Sequence, residues 1–429
     1  MPTPNHSTSL LTLLHAAVDG LCACTVFMLT PLMDVSESMM LFVAYNCLAF
    51  LTQPFVGIYL DHRSSSILQL VTSIGLLSGG ALLTIINATT TLAISPFIIV
   101  TLVGMGNSVF HVYGGKFVTD HTGNDIRHLG IFVSSGALGL TLGGQNASIT
   151  GLSVIALILV VATCLFVLGN RTKESTDSTK TLDCDKPTSH QWLFCFILLV
   201  VFFRSFLGNM IPSDAGKDLP FFAMLGMPLA VLGKASGGFL AKRFGLWTTL
   251  TTVLLLACIC FLCGYYHALF LLGMVLFINL SMPLTLHLAN KLFPRQEGFA
   301  FGMLAAMLAP GVGLGLLCID NSWTSDLLYP LIATIVIEAL VLLLLRERRW
   351  QVLSMSVVMN IMTNLPLNLF VYFCLDTLTV PTIIALEGLV MAVEVFLFSL
   401  VTHNKRQAIT YGVLCNLTSY LLGLIFTLL

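Results

Sequence analysis

The chain has 429 residues, 57% of them hydrophobic and only 9% charged, with a mean hydropathy of +0.95. A soluble domain carries about 25% charged residues, so this composition excludes an ordinary soluble enzyme and places the chain in lipid. The formal net charge of −1 comes with no strongly basic segment, which excludes a nucleic-acid binder.

The opening MPTPNHSTS lacks Lys and Arg, and the apolar run behind it contains His15 and Asp19. A cleaved signal would show a basic start and an unbroken apolar stretch, so this segment reads as a retained first span. A bilayer crossing takes about 20 mainly apolar residues. Such runs fall at 9–33, 38–60, 65–87, 93–118, 128–148 and 150–170. The polar stretch 171–191, RTKESTDSTKTLDCDKPTSHQ, reads as a cytoplasmic linker. Six more runs follow at 192–211, 219–241, 246–266, 268–292, 298–317 and 326–346. RERRW at 346–350 interrupts the chain, and three last runs occupy 352–373, 380–401 and 407–429.

Charge placement supports this reading, because Lys and Arg collect in cytoplasmic loops. With the N-terminus inside, one side receives Arg63, Lys116, Arg127, the linker lysines, Lys242, Arg243, Lys291, Arg295, the Arg346–Arg349 group, Lys405 and Arg406. The opposite connections MDVSES, NATTT, DNSWTSD and DTLTV carry no basic residue, and only Lys217 falls in a loop on that side. The expected placement is a plasma (inner) membrane protein with a cytoplasmic N-terminus and an external C-terminus. Twelve cysteines lie mostly inside apolar runs and read as small packing residues, not as metal ligands or disulfides.

The first two sets of six runs echo each other, as parallel repeats do. GIYLDHR (57–63) matches GGFLAKR (237–243); His111/Lys116 match His287/Lys291; the Gly-rich GIFVSSGALGLTLGG (130–144) matches FGMLAAMLAPGVGLG (301–315). The expected domains are therefore a six-helix bundle at 1–170, the linker 171–191, a second six-helix bundle at 192–350, and an appended three-helix transmembrane segment at 351–429. The fold class is an all-α integral membrane protein.

This pattern resembles the major facilitator superfamily over residues 9–346. Its most specific element is the loop ending in Asp61, His62 and Arg63, similar to the one that family carries between its second and third spans. The resemblance implies a conformational latch on the cytoplasmic side built from Gly57, Asp61 and Arg63. Gly106, Phe110 and His111, with Gly136, Gly139 and Gly143, also loosely resemble the fosmidomycin-resistance branch, although Val112 stands where that branch has Pro. In this superfamily spans one, four, seven and ten line a central cavity, which implies that His15, Asp19, Asn107, His111, Arg204, Asn279 and His287 share one space.

Depth along the helices agrees in part. At about 1.5 Å per residue, Asp19 lies near the midplane and both His15 and His111 lie roughly 7 Å to its cytoplasmic side. Ionisable groups at this depth are expensive and mark ion or substrate pathways. Asp19, His15 and His111 are the candidate proton-coupling residues, because histidine and aspartate exchange protons when burial and mutual contact bring them together. Arg204, Asn107, Asn279 and His287 are the candidate substrate-binding residues, with Asp19 the partner of Arg204 by depth, and Lys116 is expected to snorkel to the inner surface.

In the last segment Asn360, Asn364 and Asn368 recur every four residues, and Glu387 and Glu394 are seven apart, so each set lies on one helix face. These faces read first as glue between helices, with a proton path or a partner-docking surface as the other readings. No G-x-x-x-x-G-K-[ST], H-E-x-x-H or G-x-S-x-G occurs. The expectation is a secondary transporter, not an enzyme, that needs no cofactor or metal. It moves a small anionic or zwitterionic solute with protons across the bilayer. The alternative is a membrane receptor or assembly protein that docks a membrane partner through residues 351–429.

Overall fold

A computed structural model describes residues 4–62, 67–92, 94–170, 191–209, 222–264, 267–319, 324–347, 349–374, 379–402 and 404–428. Arg63 and almost all of the 171–191 linker lie outside the described residues. Among those described, the structure is helical and contains no strand.

The helices are α1 (Pro4–Leu29), α2 (Val35–Asn46), α3 (Gln53–His62), α4 (Ile67–Thr89), α5 (Pro96–Thr122), α6 (Ile126–Gln145) and α7 (Ile149–Asn170). They continue with α8 (Gln191–Asn209), α9 (Phe222–Phe244), α10 (Leu246–Gly264), α11 (Ala268–Leu292), α12 (Glu297–Ala306) and α13 (Leu308–Ile319). The last four are α14 (Thr324–Leu344), α15 (Trp350–Cys374), α16 (Val380–Val401) and α17 (Lys405–Leu428). A π-helical turn at Cys47–Leu51 joins α2 to α3. The helices occupy the apolar runs expected from sequence, and nine candidate spans among the described residues are long and apolar enough to cross a bilayer. The chain is an integral membrane protein.

Local chemistry sets the helix ends. Asp34 and Glu37 form a reciprocal capping box at the start of α2. Gly123, at φ 61°, closes α5 in the left-handed conformation that glycine adopts without strain. Asp125 then caps α6 by accepting from Arg127 N at 2.9 Å.

Contacts group the chain into two compact units. One holds residues 1–186 and 211–306, the other residues 187–210 and 307–429. In the first unit α1 is buried among α5, α6 and α7, with α6 packed along most of its length. Apolar residues cannot drive helices together inside lipid, so close contact depends on small side chains. Gly139 and Gly143 of α6 lie directly against the backbone of Ala16 and Gly20, where any larger residue would overlap. In the second unit α8 packs on α13 and α15, and α14 to α17 pack on one another.

Candidate functional site

On α1, His15 and Asp19 are four residues apart and share a helix face. Helix α5 brings His111 to them. His15 Nε2 lies 3.0 Å from His111 Nε2. The Asp19 carboxylate reaches both rings, Oδ2 at 3.4 Å from His15 and Oδ1 at 3.3 Å from His111. All three side chains are buried. Gly136 of α6 makes this packing possible, since a Cβ there would overlap Asp19 Oδ2 and His15 Nε2.

The other ring nitrogens fix the tautomers. His15 Nδ1 lies 2.7 Å from the carbonyl of Phe132, and His111 Nδ1 lies 3.0 Å from the carbonyl of Asn107. A carbonyl only accepts, so both Nδ1 atoms donate and each Nε2 presents either a lone pair or a second proton. Two lone pairs facing each other beside an acceptor-only carboxylate would have no donor among them. One proton on either Nε2 satisfies the arrangement, forming an imidazolium beside Asp19. The three groups bring ligand atoms within 4.8 Å of one another, close enough to share one proton or to enclose one cation.

Neighbouring residues steady this cluster. The Phe132 ring stacks on His15 at 4.3 Å between centroids. Asn107 Nδ2 donates to Tyr45 Oη at 2.7 Å and contacts Cys22 Sγ at 3.4 Å, while its Oδ1 is buried without a hydrogen-bond partner among the described residues. The remaining candidates are placed differently. Asn279 donates to the Val275 carbonyl on its own helix at 2.8 Å. His287 Nδ1 donates to the carbonyl of Asn124 at 2.8 Å, beside a cavity of about 520 Å³ lined also by Asp125, Lys242 and Lys291. Arg127 hydrogen-bonds the Asp125 carboxyl there and holds it down at about 2. Arg204, on α8 in the second compact unit, is buried, and its Nη1 has no hydrogen-bond partner among the described residues.

A second charged cluster forms where α3, α5 and α12 meet. Asp61 accepts from the first amides of α12, Gly298 N at 2.9 Å and Phe299 N at 2.7 Å. A carboxylate at a helix N-terminus is favoured by the free N–H groups and the helix dipole. Lys116 Nζ lies 3.2 Å from Asp61 and 3.5 Å from both Asp120 and Glu297. Its side chain is 11% exposed, so the expected snorkelling lysine is instead enclosed by three carboxylates. Gly57 faces the backbone of Gly298 and Phe299 so closely that any side chain would collide.

Sequence reading did not find Tyr45, Phe132, Asp120 or Glu297 as members of these clusters. Asp120 had an available signal, lying four residues after Lys116 on the same helix face. Phe132 acts through its carbonyl, which leaves no mark on residue type.

No protein-family model matches the chain, and no curated protein matches it. Solved structures do. The Escherichia coli fucose:proton symporter aligns with TM-score 0.57 and 12% identity, covering 88% of this chain and 100% of its own. A second structure of the same major facilitator superfamily transporter, in the outward conformation, gives TM-score 0.58 and 14% identity, over 88% and 99%. A bacterial homologue of the iron transporter ferroportin, in an outward-facing state, gives TM-score 0.51 and 15% identity, over 86% and 99%. The chain has the major facilitator fold.

Proposed function

We propose that this chain is a secondary active transporter that moves a small anionic or zwitterionic solute by alternating access, coupled to protons. The observation that carries the reading is the His15–Asp19–His111 cluster. A shared proton satisfies its donors and acceptors, and two of its three members are histidines, the side chain whose ordinary pKa lies nearest neutrality. Intramembrane chains of Asp and His serve as proton relays in pumps and transporters. The fold likeness to a fucose:proton symporter supports the same coupling.

In this reading Asp19 carries the negative charge and His15 and His111 pass the proton between them. Arg204 holds the negative group of the solute, since a buried guanidinium cannot shed its proton and its Nη1 has no hydrogen-bond partner among the described residues. Asn107, Asn279 and His287 supply further solute contacts. Asp61 and Gly57, with Arg63, form the latch on the cytoplasmic side, supported by the hold of Asp61 on α12 and Lys116. The chain sits in the plasma (inner) membrane with its N-terminus inside and its C-terminus outside. Residues 1–170 and 192–350 are the two repeats, joined by 171–191, and 351–429 are appended.

The test starts from a thermal-shift screen of the purified protein against small anionic and zwitterionic metabolites, because a bound ligand raises the melting temperature without regard to transport direction. A stabilising solute is then offered to proteoliposomes under an imposed pH gradient. Accumulation that collapses with a protonophore is the expected result. Accumulation indifferent to the protonophore would overturn proton coupling.

A further inference from the structure

Helices α14 to α17 bury a polar network that takes no part in the proposed transport site. Glu338 on α14 and Glu394 on α16 are both 0% exposed. Helix α15 supplies Ser356, Asn360, Thr363 and Asn364 to them, and α17 supplies Asn416. Asn360 Nδ2 donates to Glu338 Oε2 at 2.6 Å, and Ser356 Oγ reaches the same oxygen at 3.3 Å. Thr363 Oγ1 lies 2.6 Å and Asn364 Nδ2 3.5 Å from Glu394 Oε1, and Asn416 Nδ2 donates to Glu394 Oε2 at 2.7 Å. Asn364 Nδ2 also donates to Asn360 Oδ1 at 2.7 Å, so the two glutamates are joined through a pair of amides.

Among the described residues no Lys, Arg or His belongs to this network, and no ion pair reaches either glutamate. Two ionised carboxylates would thus share an apolar interior without a counter-charge, which burial opposes strongly. Neutrality has to come from protons or from a bound cation.

Two details favour protons. Thr363 has one hydroxyl hydrogen but two acceptors in reach, the Met359 carbonyl at 2.8 Å and Glu394 Oε1 at 2.6 Å. When that hydrogen goes to the carbonyl, the short contact to Glu394 is completed by a hydrogen on Oε1 itself, which donates to Thr363. Second, Glu338 Oε1 is buried with no hydrogen-bond partner among the described residues. A buried carboxylate oxygen that no donor reaches is costly while it carries charge, and protonation of the carboxyl removes that charge. A cation would need several free oxygens around it, whereas three of the four carboxylate oxygens here already accept from neutral donors or face Thr363.

We propose that Glu338 and Glu394 form a proton-binding dyad in the appended helices, separate from the His15–Asp19–His111 cluster and holding at least one proton at neutral pH. The titratable and charged groups around it are few. Helix α16 adds Glu387, a further carboxyl. Helix α17 adds Cys415, whose Sγ donates to the Glu338 carbonyl at 3.8 Å. The described side chains of α13 and α15 add none. Arg204 of α8, which packs on α15, makes no ion pair with either glutamate. At the helix ends Glu347 is occupied by Arg349 and Tyr411, and Lys405 and Arg406 are exposed.

Infrared difference spectra of the purified full chain, titrated from neutral to alkaline pH, test this. Wild type is expected to show a protonated-carboxyl band at pH 7 that disappears at alkaline pH. The band should be lost at pH 7 in the double variant E338Q/E394Q, persist in D19N, and move to higher frequency in Thr363→Val, which removes its acceptor. If the double variant does not fold, wild type and T363V decide between them. Absence of the band at pH 7, a band unmoved in T363V, or its loss in D19N would overturn the proposal. So would a band at fixed pH that fades as sodium is added, since a cation would then be the ligand.

Discussion

The cluster on α1 and α5 and the cluster on α14 to α17 are both buried and both polar, yet their chemistry differs. His15, His111 and Asp19 contain the means to be positive and negative at once, so one proton leaves an internally balanced pair. Glu338 and Glu394 are surrounded by amides and hydroxyls that hydrogen-bond them but carry no charge. A proton can move within the first cluster while a counter-charge stays beside it. In the second, each lost proton leaves a bare negative charge. A count of polar residues in a membrane helix therefore says little. The signs available among their neighbours determine whether a group can load and unload a proton.

The largest expected effect separates the two clusters directly. In Asp19→Asn any retained imidazolium has lost its counter-charge, and stranding one partner of a buried pair costs about 3–5 kcal/mol. The cluster therefore sheds its proton instead, and proton-driven accumulation in proteoliposomes should fall to the level of empty vesicles. Wild-type accumulation in this variant would break the comparison.

The seat of the cluster gives the next effect. Gly136→Ala inserts a methyl against Asp19 and His15, an overpacking expected to cost about 1–3 kcal/mol and to lower the melting temperature along with uptake. Gly79→Ala on α4 meets nothing within 4 Å and should leave both unchanged or slightly improved. An equal loss in the two variants would show that the Asp19 site has no special packing.

Asp61 offers a third contrast, a carboxylate satisfied by a helix end and a lysine. Asp61→Asn removes a charge worth about 1–2 kcal/mol at a partly buried helix N-terminus. Hydrogen exchange of a peptide covering 297–306 should then speed up roughly ten-fold, 1.4 kcal/mol being one decade. Unchanged exchange would mean that the α12 amides do not depend on Asp61.

The smallest effect lies outside the membrane-spanning helices. Hydrogen bonding from Arg349 holds the Glu347 carboxyl down at about 2. Its folded value lies below the unfolded one, so its stabilisation is present above about pH 4.3 and is lost as the pH falls through about 2. Because Arg349 is 42% exposed, the contribution is expected to be at most about 1 kcal/mol. Glu347→Gln should remove this slope from the melting temperature below pH 4. An unaltered slope would assign it to other carboxyls.

Sequence and structure agree where physics acts along one helix. The apolar runs set the helices, and depth put His15 and His111 at one level, with Asp19 nearer the midplane. The asparagine face of α15 was legible from its spacing, and two of its members, Asn360 and Asn364, join the glutamate network. Contacts made by the backbone, or across long separations, were not legible. Nothing in residue type shows that the carbonyls of Phe132 and Asn107 fix the histidine tautomers. Lys116 read as snorkelling because Asp61 and Glu297 are remote in sequence, and only folding brings their carboxylates to it. The link from Glu394 to Glu338 was hidden for the same reason, since it passes through a third helix.

The central claim is that His15 and His111 hold a shared proton against Asp19. Nitrogen-15 NMR of the histidine-labelled full chain at neutral pH reads it directly. Both rings should carry hydrogen on Nδ1, their Nε2 atoms should share one further proton, and this proton should be lost in Asp19→Asn. Two neutral rings with bare Nε2 atoms in wild type, or a protonation pattern unchanged in the variant, would contradict it.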